Sequence, residues 1–284
     1  TYRRLADVIA WANKTPKFVD VEENSLSPSV QILEDAIDEN TSLILGVHPI
    51  VNCCDVEGYI KLSLKKNVPI IFDAVESVHE TFNKKRIGSF DVGEVFSLHA
   101  SKLINGSEGG YICTSDKEFF RDLVNQKKIN KGEINFLEFN NLNSIHAYNS
   151  LKKLNKLVLH NQKIYEEYER LLKNHQFLSL LKFDETERTS YKNIVVKLDK
   201  NSLISRDQII SELNKIQIFA RAYYSPALHD KNYHYKIKTS SLEVTNNIKT
   251  QFLNLPCGFR TSLDDVKRVV HHINIILKKV NPNE

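Results

Sequence analysis

Three residues have the types and spacing to do chemistry together. Asp73 closes the apolar run VPIIFDA (68–74), Ser97 lies in the last turn of GEVFSLH (93–99), and Lys102 follows in HASKLINGSEGG (99–110). Lysine is among the residues least often buried. A lone lysine just past a buried-type strand is therefore either a solvated loop residue or a nucleophile. In an open α/β sheet, ligands sit beyond the carboxyl ends of the strands. An aspartate, a hydroxyl and a lysine at neighbouring strand ends suit pyridoxal phosphate, which needs a lysine for its Schiff base and an acid against its ring nitrogen. It also needs donors for its phosphate. A carboxylate beside the ring nitrogen keeps that nitrogen protonated, because opposite charges stabilise each other at close range. On spacing alone the reading stays open, since any one Asp or Lys is more often a solvated surface residue.

The elements that must position these residues alternate. PKFVDV (16–21), TSLILGVH (41–48), VPIIFDA, GEVFSLH and GGYICTS (109–115) read as strands. SPSVQILEDAID (27–38), with its Ser27-Pro28 start, and DVEGYIKLSLKK (55–66) read as helices between them. This alternation implies βαβ units and a mostly parallel sheet, and the near-continuous apolar character of the strands fits a sheet covered on both faces. After residue 116 the pattern changes. DKEFFRDLVNQKK is helical, and 140–175 is a long helical stretch rich in Leu, Lys and Glu. YKNIVVKL (191–198) is a strand, and 205–217 and 263–280 are helices. The expected organisation is a large α/β domain over 1–140, a long connecting helix over 141–175 and a smaller α/β domain over 176–284.

Composition bounds the function. The chain has 284 residues and is 41% hydrophobic, enough for a sizeable core. Its net charge of +4 comes from both signs mixed along the chain, a weak argument for any nucleic-acid partner. Cys53, Cys54, Cys113 and Cys257 show no framework spacing, so a reducing, cytoplasmic compartment is expected. No apolar run approaches the ~20 residues of a membrane span. The chain has no methionine and opens directly on a helix-like TYRRLADVIAWAN, as a fragment lacking its N-terminus would.

Three ordered stretches, PKFVDVEENSLSPSVQILEDAI, PIIFDAVESVHETFNKKRIGSF and VFSLHASKLINGSEGGYICTSD, resemble the DegT/DnrJ/EryC1/StrS family of aminotransferases. FARAYYSPALH (219–229) and LEVTNNIKTQFLNLPCGFRTSLDDVKRVV extend the resemblance to about residue 280. It implies a fold-type-I, pyridoxal-phosphate-dependent transferase that moves an amino group from an amino acid, glutamate in the family, to a keto carbon of a nucleotide-linked deoxy sugar. It also implies a homodimer with the long helix near the contact. By position, Lys102 would bond the cofactor and shuttle the proton. Asp73 would pair with the ring nitrogen, Ser97 would donate to the phosphate, Glu76 would lie beside the 3-hydroxyl and Ala74 would pack against the ring. Arg221, Tyr223, Tyr224 and His229 would border the sugar nucleotide, or form a packed turn. The phosphate loop would belong to the absent N-terminal part. Relatives that act as dehydratases carry histidine in place of the lysine, so Lys102 argues against that chemistry. A cyclitol substrate, or an inactive or regulatory relative that keeps the fold, are the alternatives.

Two departures from the family pattern stand out. Where an Asn often reaches the phosphate of the neighbouring subunit, this chain has Phe139, with Asn140 and Asn141 just after it. His79 and Glu80 replace a small Gly-Ala pair; larger groups there narrow the sugar pocket or lie on a solvated helix face. His99 reads as a structural filler rather than a second acid/base, and Cys113 as a small buried hydrophobe. His271-His272 lack partners at metal-ligand spacing, so no metal site is expected.

Overall fold

The computed structural model describes residues 1–129, 139–223 and 225–280. In chain order the elements are α1 (Leu5–Trp11), β1 (Lys17–Phe18), α2 (Val30–Ala36), β2 (Ile44–Val47), α3 (Val56–Lys66), β3 (Ile70–Asp73), β4 (Thr81–Phe82), β5 (Lys85–Arg86), β6 (Gly93–Ser97) and β7 (Gly110–Cys113). They continue with α4 (Lys117–Ile129), α5 (Asn141–Lys152), α6 (Leu154–Leu172), β8 (Leu178–Leu180), β9 (Ile194–Leu198), α7 (Arg206–Lys215), β10 (Arg221–Ala222), β11 (Lys238–Thr239), α8 (Glu243–Ile248), β12 (Phe252–Leu255) and α9 (Leu263–Val280). Two compact units form: one of Thr1–Ala36, Leu159–Phe183 and Tyr191–Glu284, the other of Ile37–Val158 and Asp184–Ser190.

The second unit holds the sheet that the sequence pattern predicts. Its order is β2-β3-β6-β7, with β2, β3 and β6 parallel and β7 antiparallel at the edge. Val47 is in register with Asp73, and Asp73 with Val95, so the carboxyl ends of three strands lie side by side. Between β2 and β3 the chain passes through α3. Asp55 caps its N-terminus by accepting from Gly58 N–H at 2.9 Å, and Asn67 ends it in the left-handed conformation at φ 52°. Tyr59 of α3 and Phe72 of β3 are both fully buried, with rings stacked at 6.3 Å. Gly46 in β2 is required by this packing, because a Cβ there would meet the Phe72 ring at 2.6 Å. A two-residue turn with positive φ at Asn83 and Lys84 joins β4 to β5, the hairpin type whose twist matches its strands.

The first unit carries an antiparallel sheet, β10-β12-β9-β8. The buried residues of α9 (Val266, Val269, Val270, Ile273, Ile276 and Leu277) recur at helical spacing, as expected for a helix with one face in a core. Ser205 and Gln208 form a capping box at the start of α7. The expected strand over 16–21 is reduced to Lys17–Phe18, paired in parallel with Lys238–Thr239. Beyond it, Asp20 turns away to accept the amides of Val244 and Thr245 and the Thr245 hydroxyl at 2.6–2.8 Å, capping α8. The 140–175 stretch is helical as expected, in two pieces that meet at Lys153. No helix among the described residues is long and apolar enough to cross a membrane.

Candidate active site

The second unit brings together the three residues singled out by spacing, at the carboxyl ends of β3 and β6. Asp73 is the last residue of β3 and is 7% exposed. Its Oδ1 accepts from Val75 N–H at 3.1 Å, and it has no ion-pair partner among the described residues. Burial pushes its carboxyl above the usual range; the Val75 amide and the charge of nearby Lys102 only partly offset this. Ser97 ends β6, and its Oγ accepts from His99 N–H at 3.2 Å. As the acceptor there, that hydroxyl keeps its own hydrogen for a further acceptor.

Lys102 is not a solvated loop residue. Its side chain is 14% exposed, and its Nζ donates to Glu76 Oε1 at 2.5 Å, with the Glu76 side chain 11% exposed. No helix follows Asp73. The backbone instead makes successive tight turns, Ser77 N–H to Ala74 O at 3.0 Å and Glu80 N–H to Ser77 O at 3.1 Å, and these aim Glu76 back at the lysine. Ala74 is fully buried, its N–H bonded to Val95 O.

The loop that presents Lys102 is braced from both sides. Lys102 N–H closes a turn onto His99 O at 2.8 Å, while Ser101 N–H and Oγ both lie within hydrogen-bond reach of His99 Nδ1. His99 is half-exposed and staples this turn. From α5, Ser150 Oγ accepts Asn105 N–H at 2.9 Å and lies 3.4 Å from Leu103 O. No local pattern could have linked Ser150 to the loop, since the bond spans 45 residues. Gly109, at φ +116°, closes the loop where a Cβ would meet the Phe139 ring at 2.5 Å. Phe139, the residue standing in the place of the family's Asn, therefore packs over the loop. Asn140 is committed to capping α5, its Oδ1 accepting from Asn143 N–H at 2.8 Å.

Glu80 is not on a solvated face. It is 6% exposed and accepts from Thr189 Oγ, Ser190 Oγ and Ser190 N–H. Its neighbour His79 takes φ 77°, a conformation that explains the glycine the family pattern has there. Cys113 is half-buried. In the other unit, Arg221 is exposed on β10, and the Tyr223 ring lies 6.1 Å from Phe252. His229 Nε2 lies 2.9 Å from Asn246 Oδ1, the geometry of a packed turn. Tyr224 lies outside the described residues. The His271 and His272 rings contact each other on α9, and no cluster fit for a metal occurs among the described residues.

A buried acid and a shielded lysine–carboxylate pair at adjacent ends of a parallel sheet define the scaffold of a pyridoxal-phosphate aminotransferase. Comparison with known proteins gives the same class. The profile of the DegT/DnrJ/EryC1/StrS aminotransferase family matches residues 1–274, and the chain belongs to that family. It is 24% identical over 279 residues to the UDP-4-amino-4,6-dideoxy-N-acetyl-beta-L-altrosamine transaminase of Helicobacter pylori, covering 94% of this chain and 74% of that protein. It is 25% identical over 298 residues to the GDP-perosamine synthase of Caulobacter vibrioides, covering 98% and 77%. The crystal structure of DesI with its TDP-sugar product superposes with a TM-score of 0.91 at 21% identity, covering 98% of this chain and 73% of that one.

The residues present fit the family's cofactor, pyridoxal phosphate. Asp73 is a buried carboxyl with no ion-pair partner among the described residues, a place for a protonated ring nitrogen. Ser97 keeps a hydroxyl hydrogen to give to a phosphate oxygen. Lys102 is the one lysine of this cluster and is screened from solvent.

Proposed function

We propose that this aminotransferase moves an amino group from an amino-acid donor, glutamate, to a keto carbon of a nucleotide-linked deoxy sugar, using Lys102, Glu76, Asp73 and Ser97. The observation that carries the assignment is the Lys102–Glu76 pair, 2.5 Å apart, beside the buried Asp73. The names of the two relatives, a transaminase and a synthase of amino sugars linked to UDP and GDP, support a nucleotide-sugar acceptor. When bound, pyridoxal phosphate supplies an electron sink that lets a proton leave and return at carbon.

This chain's own residues do the rest. Asp73, buried and otherwise costly to ionise, holds its charge when a cation faces it, so it orients a protonated ring nitrogen. The Ser97 hydroxyl donates toward the phosphate. The Lys102 amine takes and gives the proton, a general acid–base role that needs its Nζ near the reacting carbon. Glu76 holds the Lys102 amine whenever that amine is free, and would accept a proton from a neighbouring hydroxyl. The buried Ala74 backs the site and keeps water from Asp73. The enzyme works as a homodimer in the cytoplasm. α5 carries the exposed apolar residues Leu142, Ile145, Tyr148 and Leu151, surface that a partner subunit would cover.

The test uses the full-length protein loaded with pyridoxal phosphate, reduced with borohydride and digested. The pyridoxyl mass is expected on the Lys102 peptide. Label on another lysine, or on none, overturns the assignment and favours an inactive relative that retains the fold. Lys102→Ala is expected to abolish turnover, and survival of roughly a tenth of the activity would sink its role as proton shuttle.

A further inference from the structure

The mechanism leaves Glu80 unused, yet it is among the most buried charged side chains of its unit. It stands where two stretches distant in sequence meet. One is the run of turns from Ala74 to Glu80 that carries Glu76, ending in the Glu80 N–H to Ser77 O bond. The other is the segment Asp184–Ser190, which belongs to the same compact unit although the residues on either side of it do not.

That segment is stitched down along its length. Asp184 N–H donates to Asn52 Oδ1 at 2.8 Å. Glu187 takes the Thr81 hydroxyl at 2.5 Å and the Lys84 amide at 3.0 Å. Thr81 and Arg188 exchange bonds, Arg188 N–H to Thr81 Oγ1 at 2.8 Å and Thr81 N–H to Arg188 O at 3.2 Å. The last stitch is Glu80, whose Oε1 alone receives Thr189 Oγ1 at 3.2 Å, Ser190 Oγ at 3.2 Å and Ser190 N–H at 3.4 Å.

We propose that Glu80 is a positioning residue, a clamp that fastens Asp184–Ser190 to the Ala74–Glu80 turns and thereby holds Glu76 against Lys102. Only its last consequence rests on the assignment of Lys102 and Glu76 as the working pair.

The clamp responds to pH. Burial, countered in part by the Ser190 and Thr189 bonds, pushes the Glu80 carboxyl up to about 7, and the charge of Glu76 adds to the rise. The other groups facing it do not neutralise it. Cys53 is a thiol driven upward by burial and by Glu80 itself. Of the segment's charges, Glu187 is turned to Thr81 and Lys84, and Arg188 is felt at His79. No cation pairs with Glu80 among the described residues. The sign follows from linkage: the clamped state binds the proton more tightly than an opened, solvated Glu80. The clamp is therefore tightest in mild acid and loosens as pH rises toward neutral, then levels off.

Hydrogen exchange on the protein without added cofactor tests this. After correction for intrinsic chemistry, the Arg188 and Ser190 amides are expected to open on the order of tenfold more at about pH 8 than at about pH 5.5. Glu80→Gln keeps the accepting oxygen and cannot ionise; it should hold the segment closed at both values. Glu80→Ala and Ser190→Ala should raise exchange at both. In the same samples, Lys102 of Glu80→Ala should acetylate severalfold faster than in the parent, and that of Glu80→Gln no faster. A pH dependence that survives in Glu80→Gln, or an Ala variant with unchanged protection and unchanged Lys102 labelling, overturns the clamp. Neither readout uses bound cofactor, so failure here is distinct from failure of the functional assignment.

Discussion

His48 gives the sharpest test of the packing beneath the site. It follows β2, its amide donating to Asp73 O at 3.1 Å, and its ring stacks on Phe72 at 5.3 Å with 10° between planes. The side chain is buried; Nδ1 lies 3.3 Å from Cys54 Sγ, and Nε2 has no hydrogen-bond partner among the described residues. Burial lowers its pKa from 6.5 to about 4, so the folded protein holds it neutral. In the unfolded chain it takes a proton below 6.5. The stability that neutral His48 contributes is thus complete at neutral pH and is lost as pH falls from 6.5 toward 4, amounting to about 3 kcal/mol at one pKa unit per ~1.4 kcal/mol. Glu80 has the opposite slope over nearly the same window, because its folded pKa is raised, so the parent protein hides both. The measurement is therefore a difference. Urea unfolding of parent and His48→Leu, at steps from about pH 7 to 4.5, should give a stability gap that shifts in favour of the variant by roughly 2–3 kcal/mol. In a Glu80→Gln background the acid slope of His48 should show directly. A gap that does not change with pH would refute the claim that this imidazole is held neutral by burial.

Other outcomes follow from single contacts. Asp73→Asn removes a carboxyl whose raised pKa costs stability once ionised; it should melt no lower than the parent at neutral pH while losing pyridoxal phosphate on dialysis, read by absorbance. Gly109→Ala places a Cβ 2.5 Å from the Phe139 ring at φ +116°, and should lower stability by about 1–3 kcal/mol by thermal unfolding, with slower labelling of Lys102 by pyridoxal phosphate and borohydride. Ser150→Ala leaves the Asn105 amide without its acceptor; it should cost about 1 kcal/mol and raise exchange at Asn105, with helicity unchanged by circular dichroism. Phe72→Ala opens the centre of the sheet–α3 packing and should cost roughly 3–5 kcal/mol in denaturant unfolding.

The local sequence determined the strands and their order of use. Short apolar runs such as VPIIFDA, bounded by polar residues, read as buried strands, and the residue after such a run emerges at a carboxyl end, which is why Asp73, Ser97 and Lys102 stood out together. Caps are short-range too: Asp55, Ser205 and Asn140 each satisfy an amide three residues ahead. What could not be read was any bond between distant segments. PKFVDV promises a longer strand than Lys17–Phe18, because Asp20 is drawn off to cap a helix 224 residues away. The turns after Asp73 are held from outside the segment, Glu76 by Lys102 and Glu80 by Thr189 and Ser190. Glu80 is polar, charged and next to a histidine, every local sign of a solvated position. Only the arrival of residues 184–190 buries it, with enough donors to make burial tolerable. Periodicity and spacing report what one segment needs to hide. Which partner hides it is set by the tertiary structure, where hydrogen bonds spanning more than a hundred residues decide the state of a carboxyl.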